Sequence, residues 1–221
     1  NKFGWIKRAV SIILILIVLL AGWILFDLYR PHRVEMRRFD ADEVARLDTA
    51  MWRSYYAKQP FVLFTQLGEL MRTQYKLPFF RSNLLAYYAA RAAFVFKDGK
   101  NRADYEKALP DLIKFYSEIR SISDIPFDVE KVSKLELEWW IVHRERQNHA
   151  PEDLEIALAE AAAAIYQIPP GNLREYGRFR AQAMKIRDTK AEQGGVTEDD
   201  WQQIDTLLHQ SWQSLHKVVN P

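Results

Sequence analysis

From Asp40 onward, apolar positions recur every three or four residues and are interrupted by proline, glycine or short polar turns, as in a succession of amphipathic helices. Val44, Leu47, Met51 and Tyr55 fall on one side of a first helix that Asp40, with Glu43, is placed to cap. Pro60 separates it from a helix carrying Phe61, Phe64, Leu67, Met71 and Tyr75, which Pro78 ends. Ser82 is placed to cap the next, with Leu85, Tyr88, Ala89, Ala92 and Phe96 inward. A turn at Asp98 to Asn101 follows, then a helical region over 102–122 with a bend expected at Pro110. Asp128 begins a further helix, Pro151 starts another in its first turn, and Asn172 caps a segment that ends at Gly194 and Gly195. The last helix has the sharpest start: Thr197 with Asp200 in the reciprocal capping position, and Val196 placed to pack on Trp201.

The beginning of the chain has a different texture. Ala9 to Phe26 contains no charged residue, and at about 1.5 Å per residue it reaches roughly 27 Å, close to the hydrocarbon thickness of a bilayer. Trp5, Trp23 and Tyr29 flank it as interfacial aromatic anchors would, and Lys7 and Arg8 precede it. Gly22 leads into the bulky Trp23, Ile24, Leu25 and Phe26 instead of a small-x-small cleavage site, so a retained anchor is expected. The pattern therefore predicts an all-α chain: a single N-terminal transmembrane helix followed by a multi-helix bundle of about seven helices, or a short stack of helical hairpins. Residues 1–30 are read as tail and anchor, 31–39 as a juxtamembrane basic linker, and 40–221 as an α-helical extramembrane domain.

Charge changes the picture only locally. The net charge of +2 comes from Lys2, Lys7 and Arg8 at the N-terminus, which leaves the domain near neutral. Arg30, Arg33, Arg37 and Arg38 are a basic cluster suited to lipid phosphates. Nothing resembles the basic face of a nucleic-acid binder, so membrane lipids and other integral membrane subunits are the expected partners. A short basic N-terminus crosses a membrane poorly, which favours a cytoplasmic tail and an extracytoplasmic, periplasmic-type domain. With no cysteine, the chain has no disulfide, thiolate metal site, iron–sulfur cluster or covalent c-type haem.

Two features carry candidate chemistry. In LELEWWIVHRER, Glu136 and His143 stand two helical turns apart on one face. With Glu69 or Asp48 from neighbouring helices they would make a helical metal or acid/base enzyme. The other reading of this stretch is a core stripe of Val132, Leu135, Trp139 and Val142, with Glu136 paired to a neighbouring arginine. The Glu-x-x-His motif of di-metal bundles does not occur, and phosphate loops and nucleophile elbows are missing. The second feature is a set of adjacent aromatics: Tyr55–Tyr56, Phe79–Phe80, Tyr87–Tyr88 and Trp139–Trp140. Neighbours on a helix point about 100° apart, so one of each pair is free for a partner. Trp52, Tyr56, Phe80, Tyr87, Trp140 and Trp201 are the partner-contact candidates. These features favour a non-catalytic accessory or scaffold subunit of a larger membrane complex, of energy-transducing type, with no catalytic residue, metal or cofactor of its own. The alternative is a membrane-anchored helical-repeat binding module for a peptide or envelope polymer.

Overall fold

The computed structural model describes residues 2–220, with side chains from residue 4 to residue 220. The apolar helix α1 covers Lys2–Tyr29, and none of its most apolar window is buried against the rest of the chain. After it come α2 (Ala41–Tyr56), α3 (Pro60–Gln74), α4 (Phe79–Asp98), the single turn α5 (Arg102–Tyr105), α6 (Leu109–Ile122), α7 (Val129–Arg144), α8 (Asp153–Tyr166), α9 (Arg174–Glu192) and α10 (Glu198–Val219). No strand is present among the described residues, where Val34 and Ser123 form an isolated parallel bridge. Among the described residues the long helices of the domain number eight, one for each segment that the apolar periodicity marks, against the bundle of about seven expected.

These helices are arranged as a ring. Each long helix packs on the next in the order α2, α3, α4, α6, α7, α8, α9, α10, and α10 returns to pack on α2. Short connections make consecutive neighbours antiparallel. The ends of the ring therefore alternate, with the start of α2 and the ends of α3, α6, α8 and α10 on the side from which α1 arrives. The tightest approach is between α8 and α9, where a side chain at Gly177 would run into the carbonyl of Glu155. The alanines of α8, Ala157 to Ala163, are buried beside it.

Local signals set most helix starts. Asp40 accepts from the N–H groups of Asp42 and Glu43, while Glu43 turns to Arg46 and the Asp40 N–H donates to Gln74. Asp128 caps α7, and Thr197 and Asp200 form the reciprocal box of α10, with Val196 and Trp201 packed on the same small cluster. Four expectations are corrected. Ser82 lies one turn inside α4 and donates to the Phe79 carbonyl. The break in 102–122 falls at a 3₁₀ turn over Glu106–Ala108, and Pro110 sits in the first turn of α6, where its missing N–H leaves no bond unmade. Pro151 precedes α8, whose Asp153 side chain accepts from the Ala150 N–H. Asn172 belongs to a 3₁₀ turn before α9.

The first turn of α4 is capped from outside its own sequence. Asp27, at the end of α1 and 5% exposed, accepts from the Phe80 N–H at 3.0 Å and the Arg81 N–H at 3.1 Å. Trp23 meets Phe80 edge to face, with ring centroids 5.3 Å apart. Arg81 in turn bonds Glu118, Ser121 and the Arg30 carbonyl. Segment 31–39, expected as a linker, is packed across the same end of the ring. Val34 N–H donates to the Ile122 carbonyl at 2.8 Å, Met36 N–H to Asp124 at 2.9 Å, and Met36 is buried in the core. Arg37 donates to the Tyr166 carbonyl, and Asn220 closes back on the Arg37 carbonyl.

Asp27 is a buried cap that serves two N–H groups of a different helix. Replacing it with alanine should lower the unfolding free energy of the domain by about 1–2 kcal/mol, while Asp27→Asn, which keeps the acceptor, should lose only a fraction of that. Urea unfolding of the full chain in nanodiscs measures both. Equal stability of Asp27→Ala and wild type would show that the cap contributes nothing.

Candidate functional site

Eight helices in a ring cannot all meet at its axis, so side chains must fill the centre. They do so incompletely and leave a cavity of about 450 Å³. It runs from Met36 at the α1 side to Tyr55, Tyr56 and His143 toward the other end. Leu63, Leu67, Met71, Ala89, Ala93 and Leu112 supply aliphatic wall, and Trp52, Trp139, Trp140 and Trp212 supply aromatic wall. The cavity is partly open to solvent, so its apolar wall either faces water or is covered by an apolar guest, and each Å² so covered contributes about 25 cal/mol.

The polar places are few. Across the ring, Arg180 of α9 forms a two-pronged ion pair with Asp48 of α2, and the Trp212 Nε1–H donates to the same carboxylate at 2.8 Å. The guanidinium lies 5.4 Å from the Trp52 ring centre and 5.6 Å from that of Trp212. Burial works against the charge on Arg180, but the facing Asp48 carboxylate raises its pKa. Glu136 accepts from the Tyr116 hydroxyl at 3.0 Å and from the Trp140 Nε1–H at 3.1 Å. Burial pushes its pKa up, and the donors Trp139, Tyr116 and Trp140 offset only part of that rise. At the outer end, Asp188 holds His143 at 2.9 Å and Arg187 at 2.8 Å, with the Arg187 guanidinium 3.3 Å above the Tyr56 ring. Burial opposes the Asp188 charge, yet hydrogen bonds from His143 and Arg187 hold its pKa below the ordinary value.

Four tyrosines complete the wall. Tyr75, Tyr116, Tyr166 and Tyr176 are close enough to oppose one another's ionisation, and burial pushes Tyr75 and Tyr176 up to about 12. Tyr116 is used by Glu136, and Tyr166 reaches the Met36 carbonyl at 3.5 Å.

The residues singled out from sequence are redistributed accordingly. Glu136, His143 and Asp48 do line one cavity, but Glu69 lies elsewhere, beside Arg46. Glu136 is held by Tyr116 and tryptophan, not by an arginine, because those donors come from its own helix and from α6. No group of three or more His, Cys, Asp or Glu side chains able to hold a metal occurs among the described residues. Trp52, Tyr56 and Trp140 face the cavity, Phe80 packs on Trp23, and Trp201 lies under the Arg53 guanidinium. Of the six partner-contact candidates, Tyr87 alone is exposed, at 48%. A helix in a ring buries two flanks and a luminal side, so both members find cover in Tyr55–Tyr56 and Trp139–Trp140, while Phe79 and Tyr87 stay exposed. Among the basic cluster, Arg37 is taken by the Tyr166 carbonyl and Arg38 by Glu35, Arg33 is exposed, and Arg30 is half-buried. Trp5, Lys7, Arg8, Trp23 and Tyr29 are all exposed along α1. Sequence reading missed Arg180, Tyr75, Tyr176 and Met36. Arg180 follows Tyr176 by one turn on the face that continues to Ala183 and Met184, and a charge on an apolar stripe was the signal available. No protein-family model, curated protein or solved structure matches this chain.

Two predictions follow from these charges. Asp48→Ala strands Arg180 in the ring wall and should lower the unfolding free energy by about 3–5 kcal/mol, whereas Asp48→Leu combined with Arg180→Met should recover most of it. Denaturant titration of the three proteins decides; a single variant as stable as wild type would mean that water already neutralises the pair. The second concerns pH. A raised folded-state pKa means that native Glu136 keeps its proton longer than the unfolded chain does. Its stabilisation is complete below the ordinary value of 4.5 and is lost as pH rises through the folded-state value. Glu136→Gln, which cannot ionise, should gain stability relative to wild type as pH climbs from below 4.5 toward neutrality. Parallel pH profiles would contradict the shift.

Proposed function

We propose that this chain is a membrane-tethered binding domain whose helical ring holds one small, largely apolar molecule. The observation that carries the reading is the cavity itself: about 450 Å³, walled by aliphatic and aromatic side chains that the helices of the ring contribute. Ligand pockets typically span about 300–1,000 Å³, with mostly apolar walls and a few placed polar groups. Both carboxylates in the inner wall are held by donors of the protein itself, Asp48 by Arg180 and Trp212, Glu136 by Tyr116 and Trp140, which favours holding a molecule over transforming it. The runner-up from sequence, a binding module, is thereby preferred in altered form, with the lumen of a helical ring in place of the groove of a repeat stack.

Helix α1 supplies the tether in this reading. Its 26 residues from Gly4 to Tyr29 are long and apolar enough to cross a bilayer. Lys7 and Arg8 favour a cytoplasmic N-terminus with the ring on the other side. A role as accessory subunit is compatible with this and draws on a specific feature: the apolar window of α1 has no cover from its own chain and can pack among other membrane helices.

Chain-terminal bromine quenches tryptophan, and four tryptophans line the cavity. In phosphatidylcholine nanodiscs, bromododecanol should quench the full chain saturably above its linear partition into lipid. Ala93→Phe, or Ala89→Phe if the first folds poorly, narrows the lumen and should remove the saturable part alone. Identical linear quenching of wild type and both folded variants would defeat the proposal.

A further inference from the structure

We infer that the phenols of Tyr75 and Tyr176 receive the oxygen-bearing end of the bound molecule, so that the cavity selects an uncharged amphiphile with a hydroxyl or carbonyl head and an apolar body. This inference rests on the reading of the cavity as a binding site and names the chemistry of its occupant.

The two hydroxyls are set apart by what they lack and by where they lie: Tyr55 and Tyr56, whose phenols also line the cavity without a hydrogen bond, stand at its outer end, Tyr56 beneath the Arg187 guanidinium. Among the described residues, the side chains of Tyr116 and Tyr166 have protein partners, Glu136 and the Met36 carbonyl, whereas those of Tyr75 and Tyr176 make no hydrogen bond. Both residues line the cavity, and neither oxygen is among the buried polar atoms sealed from water. A phenol inside a protein that finds no protein partner is costly unless a water or ligand oxygen completes it. Both line the same cavity, and beyond the effect of burial Tyr176 is near enough to Tyr75 to raise its pKa, so the two phenols add open hydrogen-bonding capacity to a wall whose other polar groups, Asp48, Arg180 and Glu136, are already engaged. Each can donate to a carbonyl or hydroxyl oxygen and accept from a hydroxyl.

The surrounding charges decide the head group. An anionic head would need a free cation, but Arg180 is already matched by Asp48, and Glu136 stands nearby as a second carboxyl. A cationic head would be repelled by the Arg180 guanidinium, which already covers a face each of Trp52 and Trp212, and at the outer end by Arg187 over Tyr56. An uncharged oxygen meets neither obstacle.

Four probes of equal chain, each brominated at the chain end, test this in phosphatidylcholine nanodiscs: bromododecanol, bromododecane, bromododecanoate and bromododecyl trimethylammonium. Saturable quenching, corrected with the Ala93→Phe protein, should be strongest for the alcohol. Tyr75→Phe with Tyr176→Phe should weaken the alcohol about tenfold, the effect of two modest hydrogen bonds, and leave the alkane unchanged. The double variant should melt no lower than wild type, since its hydroxyls support no protein contact; a lower melting temperature would point to a structural role and overturn the inference. Equal affinity for alkane and alcohol, insensitive to the phenols, overturns it and leaves the cavity reading intact, as does tightest binding of the anion or the cation. Failure of all four probes to saturate overturns both.

Discussion

The return of α10 onto α2 is the constraint on which the architecture depends. A helical stack that stays open can bury its inner face against whatever is available, but a closed one fixes the distance across its axis. Here side chains leave part of that space unfilled, and large aromatic side chains from several helices line it. Trp52, Tyr55 and Tyr56 come from α2, Trp139 and Trp140 from α7, Tyr176 from α9 and Trp212 from α10. The Asp48–Arg180 pair links α2 to α9 behind the closing helix, with Trp212 of α10 donating to the same carboxylate. One ion pair and one indole thus tie together the three elements on either side of the join.

The end of the ring nearest α1 is finished by chain that was expected to be merely connective. Segment 31–39 crosses it, places Met36 in the core and exchanges backbone hydrogen bonds with the end of α6. Asp27 serves as the missing cap of α4, whose own N-cap position holds Pro78 with no side-chain acceptor. Helix α1 and the ring are therefore joined by caps and pairings of the kind found inside a domain. The same segment covers one end of the cavity, which leaves His143, Asp188 and Arg187 to define the other.

Much of this was legible because it is local. The limits of α1, the starts of α2, α7 and α10, and the turn at residues 98–101 depend on residues within one helical turn of each other, and periodicity and capping chemistry report them directly. What was not legible depends on distance along the chain. Asp27 and Phe80 lie 53 residues apart, and Asp48 and Arg180 lie 132 apart. The amphipathic pattern of a helix is the same in a bundle, an open stack or a ring, so closure left no trace in the period. The adjacent aromatics were noticed, but one of each pair was assigned to a partner because a bundle offers each helix one buried side. In the ring Trp140 bonds Glu136 and stacks on Phe96, and Trp139 faces the lumen.

The join between α10 and α2 also has a meaning for biosynthesis. Gln213 bonds Asp42 and Asn220 bonds Arg37, contacts separated by 171 and 183 residues. The ribosome therefore releases nearly the entire chain before its two ends can meet. Until then α2 offers Trp52 and a carboxylate to the surroundings on its unclosed flank. The nascent domain is an incomplete circle that invites either a chaperone or the α10 of a second copy, and the seam is where domain swapping would begin.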